Sequence, residues 1–214
     1  MLTFLHGFLG VVEDWEEITR RLSCPYRCLS LPGHRGRSLD LQAFEEEIGS
    51  GVTLVGYSMG GRLAMHYALK YPKRVNKLIL LSANPGEEGA ARLASDEKWA
   101  CLLEKEGMER FLDAWYAQPL FKGFQVDRTQ RRHDPLMLAQ VIRTFSPARL
   151  PNLWPKLKDF ACPLAFLFGE NDIKYRLIGK KLQEQFPVTW IPNSGHAIHI
   201  ENPKQCAKHL MEAL

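Results

Sequence analysis

No uninterrupted apolar run in this sequence approaches the roughly 18 residues that a membrane-spanning helix requires. The apolar opening stretch, Met1 to Val12, has no basic leader and no small-residue cleavage site, so a signal peptide is not expected and the cytoplasm is. Glycine (16) and proline (13) are too scarce among 214 residues for a collagenous or low-complexity chain, and an apolar fraction of 45% is too high for disorder. No basic run extends beyond Arg131-Arg132, so the net charge of +4 (28 Lys and Arg against 24 Asp and Glu) implies no nucleic-acid partner. An acidic small molecule stays open as a ligand. The five cysteines form no CxxC pair, and their odd number points to reduced thiols. Cys24 and Cys28 are followed by no second ligand pair, so no metal site is expected.

What remains is one globular domain, long enough to bury about 70% of its unfolded surface. Short β-rich runs alternate with longer amphipathic stretches, the pattern of an α/β protein with a parallel sheet covered by helices on both faces. The runs are Leu2–Leu5, Tyr26–Leu31, Val52–Val55, Lys77–Ser82, Leu164–Phe168 and Val188–Ile191. Helical patterns cover Asp14–Arg21, Asp40–Ile48, Gly60–Tyr71 and Lys174–Phe186, and a last helix opens at Asn202-Pro203. Between residues 87 and 157 no central strand is expected, only helical periodicity interrupted at Gly107, Pro119, Pro135 and Pro147. That segment reads as a helical cap inserted into a core made of residues 1–86 and 158–214, and long insertions of this kind roof active sites.

The strongest local signal is Gly56-Tyr57-Ser58-Met59-Gly60, fed by a β run and followed at once by a helix. A Gly-x-Ser-x-Gly in that context is a nucleophile elbow, a sharp strand-to-helix turn that lifts the serine oxygen above the sheet. Gly60, Ala64 and Ala68 give the following helix a stripe of small residues for close packing. A serine needs a base and the base an orienting acid. Of seven histidines, His196 follows the last strand run in a loop at the sheet's carboxyl edge, where such folds place their chemistry. His199 is its nearest rival and is expected to make a structural hydrogen bond instead. Asp172 follows the fifth run in Gly169-Glu170-Asn171-Asp172, with Glu170 as the fallback. The chain order Ser58, Asp172, His196 is that of the α/β-hydrolase triad. The backbone N–H groups of Phe8, after the first strand, and of Met59 are candidates for an oxyanion hole. His6 is read as a loop-shaping residue.

The elements His6-Gly7-Phe8, Pro32-Gly33-His34, Gly56-Tyr57-Ser58-Met59-Gly60-Gly61-Arg62, Gly169-Glu170-Asn171-Asp172 and the terminal Gly195-His196 to Pro203 run together resemble the α/β-hydrolase superfamily. With Glu87 to Asp96 and Phe111 to Phe121 in the cap, they are similar over nearly the whole chain to the 2-succinyl-6-hydroxy-2,4-cyclohexadiene-1-carboxylate synthases of menaquinone biosynthesis. The resemblance implies a lyase that eliminates pyruvate from a succinyl-enolpyruvyl-hydroxycyclohexene carboxylate, with no metal or organic cofactor. It assigns Ser58, Asp172 and His196 to proton abstraction and the Phe8 and Met59 N–H groups to an enolate oxygen. It implies substrate-binding roles for Tyr57, Arg62, Arg92, Trp115 and Arg132, since guanidinium groups pair with a small polycarboxylate in bidentate fashion.

Two departures stand out. The loop Gly33 to Ser38 is one residue longer than in the family, and the usual opening hairpin is missing, which leaves an expectation of about six strands in the order 2-1-3-4-5-6. Two other readings compete: a carboxylesterase or thioesterase using the same triad for acyl transfer, and a non-catalytic ligand-binding relative.

Overall fold

All six apolar runs become strands in the computed structural model, which describes residues 1–214. They are β1 (Leu2–Leu5), β2 (Tyr26–Leu29), β3 (Val52–Tyr57), β4 (Val75–Leu81), β5 (Leu164–Gly169) and β6 (Val188–Ile191). They form one sheet in the order β2-β1-β3-β4-β5-β6, parallel throughout. β3 runs past Val55 because Gly56 and Tyr57 keep their register with Leu80 and Leu81 of β4. β2 stops at Leu29, short of the apolar run, because the Leu31 N–H leaves the ladder for the His6 ring at 3.0 Å.

Period-2 alternation sends Phe4, Val55, Ile79 and Leu167 to one face of the sheet and Leu5, Leu54, Leu78 and Phe166 to the other. Both faces are covered, so every one of these side chains is buried, each contributing roughly 1.5–3 kcal/mol. The covering helices begin where the sequence caps them. Asp40 accepts the Ala43 N–H at 3.0 Å ahead of α2 (Leu41–Ile48), which follows the short α1 (Glu16–Thr19). α3 (Met59–Lys70) packs its small-residue stripe on the sheet, and a Cβ added at Gly60 would lie 2.3 Å from the His6 carbonyl oxygen.

Between β4 and β5 the chain is helical. α4 (Ala90–Tyr116) is broken at Gly107, whose φ of 74° no helix accommodates. Two 3₁₀ turns, Pro119–Phe121 and Arg128–Gln130, lead to α5 (Pro135–Thr144), capped by Asp134 with Pro135 in its first turn. The chain closes with α6 (Ile173–Gln183), α7 (Ile198–Glu201) and α8 (Pro203–Glu212), the last capped by Asn202. The 14–21 stretch is not one helix: a 3₁₀ turn at Val12–Trp15 runs into α1. No helix is long and apolar enough to cross a membrane, and all five cysteines are free thiols, buried or half-buried.

Candidate active site

Ser58 sits between the end of β3 and the first turn of α3 with φ 49° and ψ −110°. Left-handed backbone at a residue other than glycine costs about 1–3 kcal/mol, and here it turns the side chain away from the sheet. The loops after β5 and β6 come together beside it. A Cβ at Gly169 would lie 2.0 Å from the Gly195 carbonyl oxygen, so only glycine lets the β5 end approach the histidine loop this closely. The Ser194 carbonyl accepts the Asn171 N–H at 2.9 Å, and Glu201 accepts the Gly195 and Ala197 N–H groups at 2.7 and 2.8 Å, clamping the backbone on both sides of His196. His196 Nδ1 donates to Asp172 Oδ2 at 2.7 Å, which leaves Nε2 to accept the Ser58 hydroxyl at 3.2 Å. Asp172 also caps α6 through the Tyr175 N–H at 3.1 Å, fixing its carboxylate from the opposite side. Glu170, the alternative acid, is exposed and is not the partner of His196.

Phe8 follows the β1 turn, and Met59 opens α3, so its N–H has no acceptor within the helix. Both residues line a cavity of about 370 Å³ together with Ser58, His196, Tyr57 and Arg62. Much of its lining is aromatic. Trp115 lies 5.1 Å from the ring of Phe8, 5.1 Å from Trp99 and 5.4 Å from Phe111, centroid to centroid.

The arginines in this cavity are not equivalent. Arg92 reaches it already paired, with Asp96 at 2.9 Å and Glu87 at 3.0 Å. Arg62 has no carboxylate. It is 7% exposed, its nearest acceptor is the Phe145 carbonyl at 3.5 Å, and its Nε has no partner. Burial lowers its pKa from the ordinary arginine value. Arg132 is a correction to the sequence reading: it is exposed, spends its Nε on the Thr129 carbonyl at 3.1 Å and stays outside the cavity. The neighbouring Arg131 enters in its place, because the 3₁₀ turn at Arg128–Gln130 directs residue 131 inward, where it grips Asp14 through two bonds of 2.9 and 2.7 Å.

Several lining residues were not foreseen. Tyr175, whose N–H donates to Asp172, sets its ring at a tilt against His196, 4.4 Å between centroids, and Trp99, Phe121 and Lys174 complete the wall. Their only sequence signal is a position just past a strand end or within the inserted helices. His199 is a second correction: it makes no hydrogen bond. Both ring nitrogens are buried without partners, and the ring is wedged between Trp15 at 4.5 Å and Tyr57 at 4.3 Å.

Burial keeps four histidines neutral near the site. His6 and His133 are lowered to about 4 and His199 to about 3, and His34 lies well below its usual 6.5. Asp14 opposes the shift at His6, His133 and His199, while Arg131 reinforces it. Unfolding releases these rings to take up protons below about pH 6.5. Their stabilising contribution is therefore complete above pH 6.5 and is lost as pH falls towards 4, on the order of 3 kcal/mol each for His6 and His133. Carboxylates held low in the fold, such as Glu97 at about 2, lose their contribution only as pH falls below about 4.5, where their unfolded counterparts take up protons, so the upper part of the window belongs to the histidines. Denaturant midpoints are expected to be level above pH 7 and to drop steeply between pH 6.5 and 4.5. A level midpoint through that window would contradict the assignment.

The parallel six-stranded sheet and the helices around it find their counterparts among known proteins. A model of the Alpha/beta hydrolase family matches residues 4–209. The chain belongs to this family. It is 32% identical, over all of its own length and 91% of the relative's, to the 2-succinyl-6-hydroxy-2,4-cyclohexadiene-1-carboxylate synthase of Enterobacter sp. (strain 638). It is 29% identical to protein PHYLLO, chloroplastic, of Arabidopsis thaliana; that match takes in 94% of this chain but only 14% of the much longer plant protein. Among solved structures, MenH from S. aureus superposes with a TM-score of 0.87 at 29% identity, covering 99% of this chain and 91% of that one.

Proposed function

We propose that the protein is a lyase that eliminates pyruvate from a succinyl-enolpyruvyl-hydroxycyclohexene carboxylate, the reaction type of the synthases it is similar to, in menaquinone biosynthesis. The observation that carries this reading is Arg62: a buried guanidinium without a carboxylate, lining the same cavity as the Ser58 hydroxyl. An unpaired buried charge is costly unless a ligand supplies its partner, and a substrate with several carboxylates does so. An ester hydrolase acting on neutral acyl groups has no use for it.

Ser58, with its proton drawn to His196 Nε2 and the imidazolium held by Asp172, takes the proton α to the succinyl carbonyl. The Phe8 and Met59 N–H groups hold the enolate oxygen that develops, each worth about 3–4 kcal/mol where such donors have been removed. The enolate then expels enolpyruvate: the carbon–oxygen bond breaks with its electron pair left on the departing oxygen, and enolpyruvate takes up one proton at its methylene carbon, balancing the one removed, to leave as pyruvate. Tyr57 and Trp115 shape the pocket, Arg62 anchors a carboxylate, and Arg92 offers whatever part of its fork Glu87 and Asp96 leave free. Residues 87–157 serve as the cap that roofs this site over the core.

The test is incubation with the succinyl-enolpyruvyl precursor, following pyruvate, beside a panel of p-nitrophenyl and thioesters. Pyruvate release with slow ester turnover supports the lyase. Rapid ester turnover without pyruvate replaces it with the esterase reading, for which the aromatic lining is the supporting feature.

A further inference from the structure

Two of the five non-glycine residues with left-handed backbone are Leu9 (φ 63°) and Arg35 (φ 51°). One side chain holds both. His133, just before α5, donates from Nε2 to the Leu9 carbonyl at 3.1 Å and accepts the Arg35 N–H on Nδ1 at 3.3 Å. The other side of Leu9 is held too, since its N–H donates to His34 Nε2 at 3.2 Å while His34 Nδ1 donates to the Pro32 carbonyl at 3.0 Å. His6 completes a chain of edge-to-face rings, 4.9 Å from His34, which is 5.1 Å from His133. His6 accepts the Leu31 N–H on Nε2 and donates from Nδ1 to the Gly7 carbonyl at 2.7 Å.

The Gly7 carbonyl and the Phe8 N–H belong to one planar trans peptide and point in opposite directions. Whatever fixes the carbonyl fixes the N–H. The Gly7 carbonyl is held by the His6 ring and by the Gly10 N–H at 3.0 Å, and the next peptide bonds are held at Leu9 by His34 and His133. Each ring spends one donor and one acceptor, so every tautomer is determined and no bond survives a flip.

We propose that His6, His34 and His133 form a positioning chain that aims the Phe8 N–H at the oxyanion, and that His133 ties this aim to the seating of the helical segment between β4 and β5. None of the three touches the reacting atoms. The proposal rests on the reading of the Phe8 N–H as an oxyanion donor. It goes further by making a residue of the inserted segment, on the far side of the strained turn, a determinant of turnover and not of substrate affinity.

The decisive comparison is His133→Phe against His133→Gln in the full-length protein. Phenylalanine keeps the ring packing and removes both hydrogen bonds, whereas the glutamine amide restores a donor where Nε2 stood. His133→Phe is expected to lower kcat for pyruvate release by about 10- to 100-fold, part of the 10²–10³ lost when an oxyanion donor is deleted outright, with KM within about twofold. His133→Gln is expected to recover most of that loss. The rate at which a fluorophosphonate labels Ser58, which uses the same oxyanion donors without the lyase substrate, is expected to follow the same order. Equal kcat in wild type and His133→Phe, a loss in KM alone, or a glutamine variant as impaired as phenylalanine would each overturn the proposal. If His133→Phe does not fold, His34→Gln against His34→Leu reads the other bond to Leu9 with the same expected order and the same overturning results. A wild-type protein that is labelled normally but releases no pyruvate would count against the lyase reading while the labelling comparison still judges the positioning chain.

Discussion

Ser58→Ala is expected to lower pyruvate release by about 10³–10⁴-fold while substrate affinity stays within a few-fold of wild type. Ser58 is the most exposed member of the triad in a cavity that His196 also lines; His196 and Asp172 are 2% and 3% exposed and act through the serine hydroxyl. Removing it leaves the Phe8 and Met59 N–H groups and the arginines in place, so ground-state binding is retained and the loss falls on kcat. Alanine has the same Cβ as serine and meets φ 49° with no additional strain, so the melting temperature is expected to hold within a degree or two. Single-turnover kinetics with calorimetric binding of the precursor measure both quantities. A loss confined to KM would remove Ser58 from the chemistry. The same variant separates proton abstraction from acyl transfer, because the lyase passes through no covalent intermediate. Mass spectrometry of wild-type protein quenched during turnover is expected to find Ser58 unmodified, and an acylated Ser58 would contradict the elimination.

The parts of this site that were legible in the sequence are those fixed by strand ends. β1, β3, β5 and β6 are short, apolar and flanked by glycine-containing turns, so Phe8, Ser58, Asp172 and His196 can be placed at the carboxyl edge from pattern alone. The site becomes illegible where no period sets the register. Residues 122–134 have only one turn of 3₁₀ structure, and the side of that turn from which a guanidinium enters the cavity cannot be counted from a strand or helix. Arg131 and Arg132 therefore exchange roles between sequence and structure. His199 fails for a different reason. A histidine three residues from the catalytic one invites a hydrogen bond, yet the space between Trp15 and Tyr57 accommodates a flat ring and offers its nitrogens nothing. Ring packing of that sort is a property of the filled core, and neither residue type nor spacing announces it.

Arg62→Met is expected to move stability and activity in opposite directions, which makes it the sharpest test of why that guanidinium is buried. The site on α3 is interior, and methionine matches arginine in helix propensity and in its unbranched stem, so the exchange removes the charge with little change in packing. In the free protein Arg62 has no carboxylate among its hydrogen-bond partners and its Nε is unpaired; burial lowers its pKa and Arg92 adds to that, while Tyr175, Asp96 and Glu87 offset part of the shift from a distance. Replacing a poorly compensated buried ion by an apolar side chain stabilises proteins by about 1–4 kcal/mol, which for a chain of this length is a rise in Tm of several degrees. Loss of a desolvated carboxylate–guanidinium contact costs about 2–5 kcal/mol in binding, so kcat/KM for pyruvate release is expected to fall by about 10²-fold or more. Succinate, or another small dicarboxylate, should raise the Tm of wild type through mass action and leave Arg62→Met unmoved. Arg62→Lys keeps the charge but not the fork, and is expected to fall between the two in activity. A methionine variant that is destabilised, or one that keeps full kcat/KM, would make Arg62 a structural residue and take away the observation on which the polycarboxylate substrate rests. The predicted gain in stability on losing function is what a site built for an anion requires: the fold tolerates a poorly compensated charge in the free protein because the substrate supplies its counter-ion.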